Sequence, residues 1–209
     1  MPPTRNGYIL AAAILLLFAT VTLLALLPGI PADPLRLLVR LFALYAFLAL
    51  SIAAIMTPFL REIYRIFGRP FLFVHHRFAA FGLAAVTVHP IAFAVLTENP
   101  RVFLPTLTSW TGFWTNAGRP ALIIIYVAVA AVLLRGQVPR YWRPVHALMV
   151  AALFLAIVHA NLIGTDFDGT WIPLIFNGLF IAVLAAFALK RWQGLQMRRK
   201  QQEKGQRSR

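Results

Sequence analysis

The chain contains no cysteine. Disulfides, thiolate zinc sites, iron–sulfur clusters and covalent c-type haem attachment are excluded together, so any metal must rely on imidazole, carboxylate or backbone oxygen. Acidic residues are nearly as scarce, six in 209. None falls within an apolar run, which argues against intramembrane carboxylate relays and carboxylate-bridged di-metal centres. The patterns H-E-x-x-H, G-x-S-x-G and G-x-G-x-x-G are missing too, as is any strand–helix alternation. A metallopeptidase, a serine hydrolase and a fused dinucleotide-binding domain are therefore not expected.

What the chain has in abundance is apolar surface. Hydrophobic residues make up 60% of it and the mean hydropathy is +0.76, against roughly 45–50% apolar residues in soluble domains. A hydrocarbon core about 30 Å thick takes roughly 20 apolar helical residues to cross, which leaves room for about six crossings and no soluble catalytic domain. The formal charge of +14 then reads as basic loops against an anionic leaflet. A nucleic-acid partner is not expected, because no basic soluble domain exists to carry one.

Apolar runs separated by Pro, Gly and charge predict spans near 8–28, 35–57, 76–97, 119–135, 143–163 and 173–190. Pro34, Pro120, Pro144 and Pro173 lie at or near the starts of runs, where a missing N–H costs a helix little. The first run, Tyr8–Leu27, is too long for a secretory h-region. No small-residue cleavage site follows it, so it reads as a span. Placing the N-terminus in the cytoplasm puts sixteen of the twenty Lys and Arg residues inside. Only Arg36, Arg40, Arg101 and Arg119 then lie outside. The expected architecture is an all-α, six-transmembrane-helix bundle over 1–190 with both termini cytoplasmic, in a bacterial inner membrane, followed by a basic tail over 191–209. The Gln-, Lys- and Arg-rich end of that tail has little apolar surface to bury and is expected to be mobile or surface-lying. The long outer loop Glu98–Gly118 carries Trp110, Phe113 and Trp114. These suit a headgroup aromatic belt or a lid over an outer site.

All five histidines, His75, His76, His89, His146 and His159, fall on the third and fifth spans, which run in the same direction. His75 to His89 is 14 residues and His146 to His159 is 13, each roughly 20 Å of helical rise. Two levels result, each with one imidazole from each of two parallel helices, the arrangement that coordinates iron on both faces of a porphyrin. At about 100° per residue, His75, Gly82 and His89 drift only about 40° and form one stripe. The stripe favours His75 over His76, with Gly82 placed to let a flat macrocycle approach or to serve helix packing. The 13-residue interval turns about 220° past whole turns in an ideal helix and so demands a kink, a bulge, or ligation from different flanks. Arg36 and Arg40 near the outer level, and Arg77, Arg140 and Arg143 near the inner one, are candidates to meet haem propionates; snorkelling to headgroups is the competing role.

The pattern His75-His76-Arg77, Gly82, His89-Pro90, then Trp142-Arg143-Pro144-Val145-His146 and His159 resembles the ferric reductase-like transmembrane domain. That family forms the membrane core of NADPH oxidases and ferric reductases. Within it, the chain looks most like the haem-binding membrane subunit of the bacterial periplasmic methionine sulfoxide reductase system, a likeness carried by length, span number and the Asp33-Pro34 and Thr57-Pro58 pairs. The resemblance implies two b-type haems, an inner one on His75 and His146 and an outer one on His89 and His159. His76 remains an alternative inner ligand. It further implies an electron donor on the cytoplasmic side, either a separate flavoprotein, with FMN as carrier, or a quinol. The implied acceptor is extracytoplasmic, for instance a periplasmic reductase. The rival expectation is a small transporter or assembly factor whose histidines bind a transition-metal ion or pack structurally.

Overall fold

The computed structural model describes residues 3–207, with side chains described over 3–203. Every regular element among them is helical: α1 Arg5–Leu26, α2 Pro34–Ile55, α3 Leu60–Phe67, α4 Phe71–Leu96, α5 Trp110–Thr115, α6 Gly118–Leu133, α7 Trp142–Ala147, α8 Met149–Ile163 and α9 Ile172–Arg207. Short 3₁₀ turns cover Pro100–Phe103 and Thr165–Phe167. Five segments are long and apolar enough to cross a membrane: α1, α2, α4, the α7–α8 pair as Trp142–Ile163, and α9. The sixth expected span, α6, is apolar but has 16 residues, about 24 Å of rise.

Local chemistry explains the boundaries. Asp33 caps α2 by accepting from the Leu35 N–H at 2.8 Å, with Pro34 as the first helical residue, a position where its lost donor is harmless. Thr4 caps α1 and Ser109 caps α5 in the same manner. Gly68 ends α3 at φ 61°, a left-handed stop that only glycine adopts freely.

α2 is the central pillar. Half its length is buried, whereas the other spans keep most of their surface outward, as helices facing lipid must. Its apolar residues Leu44, Phe47, Leu48 and Leu50 form the core with Val21 of α1, Ile125 of α6, Leu153 and Ile157 of α8, and Phe176 and Val183 of α9. α4 lies along α2, and α8 lies along α6 and α9. The start of α1 and the Gln193 stretch of α9 come to the end of the bundle that holds α3. The Thr4 N–H donates to the Ile66 carbonyl at 2.9 Å, and Gln193 Nε2 donates to the Pro58 carbonyl at 3.3 Å.

Two expectations change. The segment expected to be mobile or surface-lying continues α9 as a helix to Arg207, because Gln, Lys, Arg and Glu are good helix formers propagating from an existing helix. Arg209 lies outside the described residues. The loop Glu98–Gly118 is also more ordered than a connector, since it contains the 3₁₀ turn and α5.

Candidate functional site

Four imidazoles share one arrangement. His75 Nδ1 lies 3.1 Å from the Ala53 carbonyl oxygen and His89 Nδ1 lies 2.9 Å from that of Val39, both acceptors on α2. His146 Nδ1 lies 3.3 Å from the Ala128 carbonyl oxygen on α6, and His159 Nδ1 lies 2.7 Å from that of Thr115 at the end of α5. A carbonyl can only accept, so each Nδ1 carries the proton and donates it, which leaves Nε2 with its lone pair free. Each of these rings is half-buried.

The acceptors repeat the histidine spacing. Val39 and Ala53 are 14 residues apart, as are His75 and His89; Thr115 and Ala128 are 13 apart, as are His146 and His159. Antiparallel neighbours therefore hold their register over the full interval between levels, and one helical hairpin sets each pair of rings. The 13-residue interval contains the break that an ideal helix could not do without: at Leu148 the chain passes from α7 to α8, and the Leu148 N–H reaches the Val145 carbonyl three residues back. Both histidines of this pair thus address the same α5–α6 segment.

His75 lies within electrostatic range of His146, and His89 of His159. α4 packs on α2 and α8 packs on α6, and α4 and α8 share no comparable packing with each other. The donor set is two imidazoles per level, each with Nε2 uncommitted. That suits axial ligation of a macrocycle, whereas a structural or catalytic zinc takes three or four protein ligands. No group of three or more His, Asp and Glu side chains gathered for a metal ion occurs among the described residues.

His76 is set apart from this group. It is exposed, makes no hydrogen bond among the described residues, and stands 5.8 Å from the His75 ring at a tilt of 56°. His75 instead stacks on Phe71 at 5.2 Å.

Two glycines make room for different neighbours. A Cβ on Gly82 would meet the Leu50 side chain of α2 at 2.7 and 2.8 Å. The residue therefore lets α2 and α4 approach closely, and its open side faces a helix where a macrocycle had been one of two expectations. The glycine that makes room at a histidine is Gly118, where a Cβ would meet the His159 ring at 2.9–3.2 Å. Nothing in its sequence context marks it, because the close approach exists only through the register of α6 on α8.

The arginines also sort by contact. Arg40 Nε donates to Asp166 Oδ1 and Oδ2 at 3.0 and 3.2 Å, and its terminal nitrogen reaches Asp166 and the Ala25 carbonyl. With its charge matched by a buried carboxylate, Arg40 is a structural tie between α1, α2 and the turn before α9. Arg77 lies over the Phe73 ring at 4.5 Å and Arg143 over the Trp142 ring at 5.3 Å, cation–π contacts suited to an interface. Arg36 makes no ion pair or cation–π contact among the described residues. Arg119 was not singled out, yet it lies within electrostatic range of His159 while donating to Leu104 and Thr106 at 2.9 Å each.

α5 carries both a support for a histidine and exposed aromatic surface. Its Thr115 carbonyl holds His159, Trp114 meets Phe154 of α8 edge-on at 6.1 Å, and Trp110 stays 76% exposed. No family model, curated protein or solved structure matches the chain.

Proposed function

We propose that this chain is a b-type cytochrome that carries electrons across a bacterial inner membrane, from a cytoplasmic-side donor to an extracytoplasmic acceptor. The single observation that carries the reading is the common state of four imidazoles, each fixed through Nδ1 to a neighbouring backbone carbonyl with Nε2 left to bind iron. His75 and His146 are assigned to the inner haem, His89 and His159 to the outer. Each haem would supply a one-electron couple, held by two of these histidines through Nε2.

The chain's own part is positioning. A hydrogen bond from Nδ1 fixes the tautomer and the ring plane and makes the ligating nitrogen more basic. Because the acceptors are backbone carbonyls of α2 and of the α5–α6 segment, the rings are oriented by helices that cannot easily move relative to one another. The apolar faces of the bundle keep water from both levels, and the vertical offset of roughly 20 Å spans most of the hydrocarbon core.

In this reading α6 completes six crossings, and the bias of Lys and Arg toward the end carrying α3 and both termini sets that end in the cytoplasm. The histidine–proline and tryptophan–arginine–proline patterns support placing the chain with ferric reductase-like membrane domains, and its length, span number and the Asp33-Pro34 and Thr57-Pro58 pairs support a likeness to the membrane subunit of the methionine sulfoxide reductase system. The donor is a separate flavoprotein or a quinol and the acceptor a periplasmic reductase.

Purified protein is expected to give a reduced b-type haem spectrum. His89→Ala and His159→Ala should each remove about half of the bound haem. Unchanged haem in both variants would reject the ligand assignment.

A further inference from the structure

A second concave feature lies away from the histidines, where α3 meets the polar extension of α9. It is a cleft of about 740 Å³ lined by residues that include Arg61, Glu62, Lys190, Trp192, Met197 and Lys200. Lys190, Met197 and Lys200 recur along α9 at spacings of seven and three residues, which places them on one face of the helix. Gln193, on the same face, fastens that face to the α2–α3 turn through the Pro58 carbonyl. Arg61 projects from α3 on the opposite wall. Three cations thus converge on one cavity against a single carboxylate, Glu62, and none of them forms an ion pair among the described residues.

The apolar part of the lining points to the class of ligand. Leu60, Trp192 and Met197 are 40%, 58% and 59% exposed, at the point where α9 passes from its apolar stretch into the charged run beginning at Lys190. α3 is amphipathic: Ile63 is buried in a small cluster with Ile52 and Met56, while Arg61, Glu62 and Arg65 face outward. A short amphipathic helix beside a span end lies at the height of lipid headgroups. A basic pocket between helices at that height, with a tryptophan and aliphatic groups beside the charges, has the two halves needed for an anionic phospholipid, a phosphate for the cations and glycerol and upper acyl carbons for the apolar wall.

We propose that the α3–α9 cleft is a specific site for an anionic phospholipid, with Arg61, Lys190 and Lys200 as the cationic lining that receives its headgroup. The site stands apart from the histidine levels and does not depend on the haem reading.

The test uses the full chain in nanodiscs of phosphatidylcholine containing a minor share of phosphatidylglycerol, with retained lipid counted by native mass spectrometry. The variant Arg61→Gln/Lys190→Gln/Lys200→Gln is expected to lose its tightly held phosphatidylglycerol, with affinity falling roughly fivefold per removed cation. The control Arg135→Gln/Arg140→Gln removes basic residues of another loop and is expected to retain the lipid. Equal loss in both variants would mean diffuse attraction to basic loops and would overturn the site, as would retention in the triple variant. Competition by millimolar inorganic phosphate, with no preference for the phosphatidylglycerol disc, would also overturn it, since the cleft would then be reading free phosphate. Circular dichroism of the triple variant, expected to match that of the parent chain, separates loss of the site from loss of the fold.

Discussion

His75 and His76 are neighbours in sequence with different surroundings. One stacks on Phe71 and donates to a carbonyl of α2; the other is exposed and makes no hydrogen bond among the described residues. His76→Ala is accordingly expected to leave haem content unchanged, while His75→Ala should cost about half of it, as measured by pyridine haemochrome absorbance. Gly118 offers a subtler check. Gly118→Val would drive a branched side chain into the His159 ring, which a Cβ alone would approach to 2.9 Å. The outer haem should be lost and the inner one retained, with the overpacking costing about 1–3 kcal/mol of stability. The histidine levels were legible in the sequence because helical rise and turn are fixed by the backbone. The carbonyl acceptors were not, since every residue carries one, and neither was Gly118, whose role arises only where two elements distant in sequence touch.

At the scale of elements, the tie between Arg40 and Asp166 joins α1, α2 and the turn before α9. Arg40 has a side-chain exposure of 18% and Asp166 of 6%, and removing one member of a buried pair strands the other charge at a cost of about 3–5 kcal/mol. Asp166→Ala should therefore lower the melting temperature clearly. Arg40→Leu/Asp166→Leu should be milder than either single change, and haem content should follow stability and show no specific loss of one haem. Sequence spacing suggested Arg40 for an anionic cofactor because an arginine near a span end has many possible partners. Its actual partner lies 126 residues away and could not be read from local pattern. Conversely, the 13-residue interval called for a kink, a bulge or ligation from different flanks, and a break falls at Leu148 between the two histidines. Helix starts were readable from Pro34 and Asp33, whose chemistry is local; the helical course of the tail was not, because low apolar content says nothing about a helix already nucleated upstream.

For the whole molecule, α2 supports α4 on one side while α6 supports α8 on the other, and the gap between the supported helices is where the four Nε2 atoms are assigned their iron. Apolar runs predicted most of this architecture. The shortest of the expected spans is α6, whose 16 residues compare with the roughly 20 that a perpendicular crossing uses. The absence of cysteine makes the proposed topology directly testable by single introduced thiols. Ser109→Cys should react with an impermeant maleimide on intact spheroplasts, and Gln137→Cys only after the membrane is opened. The reverse pattern would invert the direction of electron flow. The most direct measurement of the central claim is the haem-to-protein ratio of the purified chain, combined with electron paramagnetic resonance of its oxidised form. Two haem b per chain, both low-spin with bis-imidazole signals, is the predicted result; a colourless protein carrying stoichiometric zinc, or high-spin iron at either level, would contradict it.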